Sequence, residues 1–220
     1  MTPLADRVER LRIRIRRACE ASGRDPGAIE LLPVSKRQPL ALVREAAALG
    51  FDTFGENYVQ EGLQKAVEAP GLRFVLIGPL QRNKAKPALA HFHELMTLDR
   101  PELATRLRAL AGELDVVRGL WLQVDLWGEA TKVGGCDQAG VEAILQALDG
   151  DPRLPLRGFM AIPPPEEPRA FEALAALRAS FQDRLGQRLR LSMGMSGDLE
   201  AAIMAGSDQI RIGTAFFGER

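Results

Sequence analysis

Apolar and polar positions along this chain change their period again and again. Leu4, Val8, Leu11, Ile15 and Ala18 recur at steps of three or four, which predicts an N-terminal helix with one buried face. Short apolar runs then alternate with helical patterns. The runs Ile29–Ser35, Phe51–Phe54, Phe74–Ile77, Glu94–Leu98, Leu120–Asp125, Leu156–Ile162, Leu189–Met193 and Gln209–Ile212 read as strands. Between them, Pro39 opens a helix that Gly50 ends, and a second helix runs from about Tyr58 to Val67. Others are centred on Arg82–Ala90, begin at Pro101, and span Ala139–Leu148. The triplet Pro163-Pro164-Pro165 is a stiff spacer that delays the next helix to about Glu167. That helix carries Phe171, Leu174, Leu177 and Phe181 on one face, and a last one covers Asp198 to Ala205.

About eight strand–helix units in succession predict a single (β/α)8 TIM barrel with an extra N-terminal helix, spanning residues 1–220 as one domain. An open doubly wound sheet has the same periodicity. The polar and glycine-rich motifs favour the barrel, because they follow many different strands: Ser35-Lys36, Gly55-Glu56-Asn57, Gly78-Pro79-Leu80-Gln81, Asp99, Met193-Gly194-Met195-Ser196 and Arg211-Ile212-Gly213-Thr214.

Composition narrows the function. At 220 residues, 46% hydrophobic and 26% charged, with formal net charge +0, the chain has no global field to recruit nucleic acid or an anionic membrane. The run Arg10 to Arg17 reads as a solvated helix face rather than an RNA-binding arm. No apolar stretch reaches the ~20 residues of a membrane span. Cys19 and Cys136 lack metal or redox spacing and, with no signal peptide in view, read as free thiols of a cytoplasmic protein. His91-Phe92-His93 has no third ligand nearby, so no metal site is expected.

Lys36 is the outstanding candidate. It closes the apolar run Leu31-Leu32-Pro33-Val34-Ser35 in a chain whose other lysines are only Lys65, Lys84, Lys86 and Lys132. A lysine at the end of a buried strand is costly unless paired or neutralised. Its primary amine can form a Schiff base with a carbonyl cofactor. Ser196-Gly197-Asp198 precedes a helix and could cradle a phosphate, although Ser196 alone reads as an N-cap. Gly213 and Thr214 follow the eighth strand, where barrels frequently bind phosphate, although Gly213 alone reads as a turn.

Across nearly its whole length the chain resembles the pyridoxal phosphate homeostasis proteins. The resemblance is carried by Pro33-Val34-Ser35-Lys36, Phe54-Gly55-Glu56-Asn57-Tyr58-Val59-Gln60-Glu61, Ile77-Gly78-Pro79-Leu80-Gln81-Arg82-Asn83-Lys84, Arg157-Gly158-Phe159-Met160-Ala161-Ile162, Leu191-Ser192-Met193-Gly194-Met195-Ser196 and Arg211-Ile212-Gly213-Thr214-Ala215-Phe216-Phe217-Gly218. It implies a fold-type III barrel like the N-terminal domain of alanine racemase. Pyridoxal 5'-phosphate would be held as a Schiff base on Lys36, with its phosphate at Ser196, Gly213 and Thr214. Arg211 would face the pyridine nitrogen, and Asn57 and Met160 would line the pocket. Where many members have histidine in the third strand this chain has Val75, and where many have serine before Asn83 it has Arg82.

Arginine keeps its proton, so an Arg211 at the pyridine nitrogen leaves the ring a weak electron sink. A racemase needs a second acid/base on the opposite face. The one tyrosine is Tyr58, and the chain ends at Arg220, directly after the last barrel motif. The expectation is a cytoplasmic monomer that binds and delivers the cofactor, without catalytic residues of its own and with transient contacts to recipient apoenzymes. An amino-acid racemase using Lys36 and Tyr58 is the alternative, and a cofactor-free interaction protein is a further one. Lys132, in a basic loop after strand five, is a candidate second cofactor site, as are Lys84 and Lys86, although each also reads as a solvated lysine.

Overall fold

The computed structural model describes residues 3–127, 134–164 and 169–219. Helix α1 (Leu4–Ser22) comes first, and Gly23, at φ 67°, caps it by donating its N–H to Cys19 and Glu20 carbonyls. The chain then alternates: β1 (Glu30–Pro33), α2 (Leu40–Ala48), β2 (Thr53–Glu56), α3 (Val59–Glu68), β3 (Arg73–Leu76), α4 (Ala85–His91), β4 (Glu94–Leu98), α5 (Pro101–Leu114), β5 (Gly119–Gln123), α6 (Gln138–Leu148), β6 (Leu156–Met160), α7 (Ala170–Leu185), β7 (Arg190–Ser192), α8 (Leu199–Met204), β8 (Gln209–Ile212) and α9 (Thr214–Phe217).

The eight described strands pair in parallel in the order β1-β8-β7-β6-β5-β4-β3-β2. Closure between β1 and β2 is a single bridge, Val34 to Gly55, with the Ser35 N–H donating to the Gly55 carbonyl at 2.9 Å. The sheet is therefore a barrel, and the open doubly wound alternative is excluded.

Alternation along the strands divides the side chains into two apolar layers. Leu32, Val75, Met96, Trp121 and Met160 form an inner cluster inside the barrel. Their neighbours, among them Phe54, Phe74, Leu76, Leu120, Leu122, Phe159, Leu191, Ile210 and Ile212, face the helices in a larger outer core. Trp121 is fully buried and donates its indole N–H to Glu94 at 2.6 Å, so its one polar atom is satisfied. Gly158 has to be glycine: a Cβ there would stand 1.9 Å from the Arg190 carbonyl oxygen.

The arginine-rich helix α1 is explained by packing. Leu4, Val8, Leu11, Ile15 and Ala18 are buried as the periodicity predicts. Arg7 donates to the carbonyls of Phe216 and Phe217, both at 2.9 Å. Arg14 pairs with Glu200 at 2.6 Å and donates to the Ser196 carbonyl at 3.0 Å. These arginines fasten α1 to the segments that follow β7 and β8. No helix among the described residues is long and apolar enough to cross a membrane.

Candidate functional site

The C-terminal ends of the strands bring the predicted residues to one rim. Lys36 lies in a turn rather than in the strand itself, because β1 ends at Pro33 and only Val34 bridges to β2. The turn is closed by the Gln38 N–H donating to the Ser35 carbonyl at 3.0 Å. Ser35 points outward, its hydroxyl donating to Glu56 at 2.6 Å. Lys36 follows directly in the turn, at the C-terminal end of β1. It is half-buried, and among the described residues its amine has no hydrogen-bond or ion-pair partner.

Arg211 sits one layer deeper. It is level with Leu32 across the β1–β8 ladder and only 5% exposed. Its guanidinium donates to the Ser192 carbonyl (2.6 Å), the Ser192 hydroxyl (2.8 Å) and the Ala161 carbonyl (2.8 Å). Among the described residues the Nε–H makes no bond and no carboxylate forms an ion pair with the group. Burial lowers its pKa to about 10, with Asp198 opposing the shift from a distance. A buried, still cationic arginine with a free donor is what a site for an acceptor nitrogen on an anionic ligand requires. A salt bridge at the barrel rim, the plainer role for this residue, is not what the structure has.

The phosphate candidates flank these groups. The N-cap of α8 is Asp198, without a capping side-chain bond, so Ser196 is not the cap and its hydroxyl is uncommitted among the described residues. Asp198 instead accepts from the Met195 N–H at 2.6 Å and shapes the loop. The backbone N–H groups of Ser196, Gly197, Gly213 and Thr214 likewise find no acceptor among the described residues. A Cβ on Gly213 would meet only Val34, at 3.7 Å, so it would fill open space before the amides rather than clash. Thr214 is exposed with a free hydroxyl.

Asn57 follows β2 on the same side as Gly55, whose absent Cβ faces Ile77 and Leu32 of the interior. Its Oδ1 is buried and has no hydrogen-bond partner. That leaves a polar atom waiting for a donor on the barrel side. Gly78 keeps Asn57 in place, since a Cβ there would lie 2.1 Å from the Asn57 carbonyl oxygen. Met160 is 1% exposed, and its place in the inner cluster makes it floor rather than wall. A primary amine, a buried arginine donor, an orphaned amide oxygen and a set of free backbone amides together suit a phosphorylated aromatic aldehyde.

Sequence reasoning missed the support behind Lys36. Lys65, 6% exposed, donates to the Ser35 carbonyl (2.6 Å), Glu56 (2.7 Å) and Glu61 (2.7 Å). The signal was there, because Lys65 falls on the buried face of α3 with Val59 and Gly62. Lys86 pairs with Glu113 on the surface, and Lys132 lies outside the described residues. No group of three or more His, Cys, Asp or Glu among the described residues could hold a metal ion. Burial pushes the Cys136 thiol up to about 12, which leaves it protonated and unreactive at neutral pH. A cleft of about 500 Å³ opens at the opposite end of the barrel, lined by Glu30, Asp52, Arg73, Glu94, Arg157 and Arg190. Its charges pair with one another, as Glu30 does with Arg190 at 2.7 Å and Asp52 with Arg73 at 2.7 Å. Groups at that face of a barrel serve stability.

The profile of the alanine racemase N-terminal domain matches residues 8–220. The chain is 44% identical over 224 residues to the pyridoxal phosphate homeostasis protein of Pseudomonas aeruginosa, covering 100% of this chain and 97% of that one. It belongs to the pyridoxal phosphate homeostasis protein family. The Escherichia coli K12 member is 41% identical over 231 residues, covering 100% and 98% of the two chains. Among solved structures, PipY of Synechococcus elongatus PCC7942 with PLP bound superposes with a TM-score of 0.81 at 37% identity, covering 93% of this chain and 100% of PipY. Alanine racemase of Clostridium difficile 630 shares the fold, with a TM-score of 0.75 at 13% identity, over 99% of this chain and 56% of the racemase.

Proposed function

We propose that this family member binds pyridoxal 5'-phosphate through Lys36 and serves as a holder and donor of the cofactor rather than as a catalyst. The observation that carries the reading is the unpartnered amine of Lys36, on the same rim as the free amides of Gly213 and Thr214 and above the uncompensated Arg211. The PLP-bound structure of a relative at 37% identity supports it. When bound, the cofactor supplies an aldehyde that condenses with a primary amine, forming a C=N bond with loss of water.

Each residue then has a role. Lys36 supplies the amine nitrogen. Ser196, Gly213 and Thr214 offer N–H and O–H donors to the phosphate. Arg211 donates to the ring nitrogen and, being cationic even at its lowered pKa of about 10, keeps its own proton at neutral pH and leaves that nitrogen unprotonated. Asn57 Oδ1 accepts, and Met160 closes the floor.

A racemase needs a second proton-transfer group, and Tyr58, the candidate for it, is engaged elsewhere among the described residues. Tyr58 is 44% exposed, its hydroxyl accepts from Arg37 at 3.1 Å, and its ring lies under the Arg37 guanidinium, 5.5 Å from the centroid. It is committed to the outer rim. Incubated with the cofactor and L-alanine in D2O, the protein is therefore expected to leave the α-hydrogen unexchanged over the time in which it delivers cofactor to a recipient apoenzyme. Exchange lost in Lys36→Ala would establish the racemase reading instead.

A further inference from the structure

The residues on either side of Lys36 are held by a buried charged network that binding itself does not call for. Lys65 joins two carboxylates, Glu56 (fully buried) and Glu61, and also donates to the Ser35 carbonyl. Glu61 in turn accepts the Arg37 backbone N–H at 2.5 Å. Ser35 is thus held by Glu56 and Lys65, and Arg37 by Glu61, while Lys36 between them is free. Arg37 needs holding. Its φ of 58° is in the left-handed region, which a residue with a Cβ enters at a cost. Lys65 draws no benefit from water in that position, and apolar residues in place of the whole Glu56–Lys65 pair would fill the same space more cheaply.

We infer that Glu61 is a positioning residue for covalent capture. By accepting the Arg37 N–H it fixes the left-handed turn, and so restricts the positions open to the Lys36 amine. The inference rests on the reading of Lys36 as the covalent anchor. The step it affects is addition of the Lys36 Nζ to the aldehyde carbon, with the carbonyl oxygen leaving as water. A flexible turn would spread the amine over many positions and lower its effective concentration at that carbon.

The test compares Glu61→Ala and Glu61→Gln with the parent, each with and without Lys36→Ala. Capture is followed by mixing with pyridoxal phosphate and reading the adduct absorbance. Lys36 reactivity in the cofactor-free protein is read separately by limited acetylation and peptide mapping. Glu61 is 24% exposed in the first turn of α3, so the variants are expected to fold. Glu61→Ala should slow capture about tenfold, the scale of one hydrogen bond to a charged group. Glu61→Gln, which keeps an acceptor oxygen, should recover most of it. In the Lys36→Ala background Glu61→Ala should leave non-covalent affinity unchanged, because the residue acts through Lys36. Parent-like capture by Glu61→Ala, no recovery by Gln, or an equal affinity loss in both backgrounds overturns the inference. A parent protein that forms no adduct at Lys36 overturns the cofactor reading as well, so the two failures are told apart.

Discussion

Lys65→Met is expected to destabilise the protein by about 3–5 kcal/mol at neutral pH, the cost of breaking a buried ion pair from one side. Three hydrogen bonds vanish at once, and Glu56 is left fully buried with only the Ser35 hydroxyl as donor. The effect carries a pH signature. Burial raises the Glu56 pKa above its ordinary value, while Lys65 and Ser35 oppose the shift. A carboxyl whose pKa is raised on folding holds more protons in the native state, so stability falls as pH climbs from its unfolded value through its folded one. Without the ammonium that rise is larger. The deficit of Lys65→Met, measured by urea unfolding, should therefore be smaller at pH 5 than at pH 8. A pH-independent deficit would mean that packing, not charge, is what Lys65 contributes.

Arg211→Met should separate function from stability. The guanidinium is buried without an ion pair, so a methionine of similar volume replaces a group that is itself costly to bury. The Ser192 carbonyl keeps a partner, the Ala161 N–H at 3.1 Å. The cofactor-free protein is expected to unfold at nearly the parent's urea concentration. Affinity for pyridoxal phosphate, by equilibrium dialysis, should drop about 10- to 150-fold, the equivalent of the ~1.5–3 kcal/mol of a hydrogen bond from a charged donor. A large loss of stability with unchanged affinity would assign Arg211 to the scaffold.

Arg211 and Lys36 show what could be read from the sequence. Arg211 stood out within the motif Arg211-Ile212-Gly213-Thr214 after the last strand, and its place at the ring nitrogen came from the family resemblance. Lys36 stood out as an amine ending an apolar run. The helix faces were legible for the same reason, as the burial of Leu174, Leu177 and Phe181 on α7 shows. Closure of the barrel was legible only indirectly, from polar motifs after many different strands and from the family resemblance, because it depends on one bridge between Val34 and Gly55, and a local pattern carries no record of a long-range contact. For the same reason the first strand reads as running to Ser35, whereas the ladder stops at Pro33 and leaves Lys36 in a turn. The left-handed Arg37 was hidden too, since the usual markers of that conformation are Gly and Asn. Ser196 before a helix reads, taken alone, as a cap. Only the geometry, with Asp198 at the cap position, frees its hydroxyl.

The central claim is that Lys36 is the covalent anchor. Its most direct test is borohydride reduction of the protein after incubation with pyridoxal phosphate, followed by peptide mass mapping. The account predicts one equivalent of reduced adduct on Lys36, absent from that position in Lys36→Ala. No adduct, or labelling scattered over Lys84, Lys86 and the other lysines with Lys36 no more modified than they are, would contradict it.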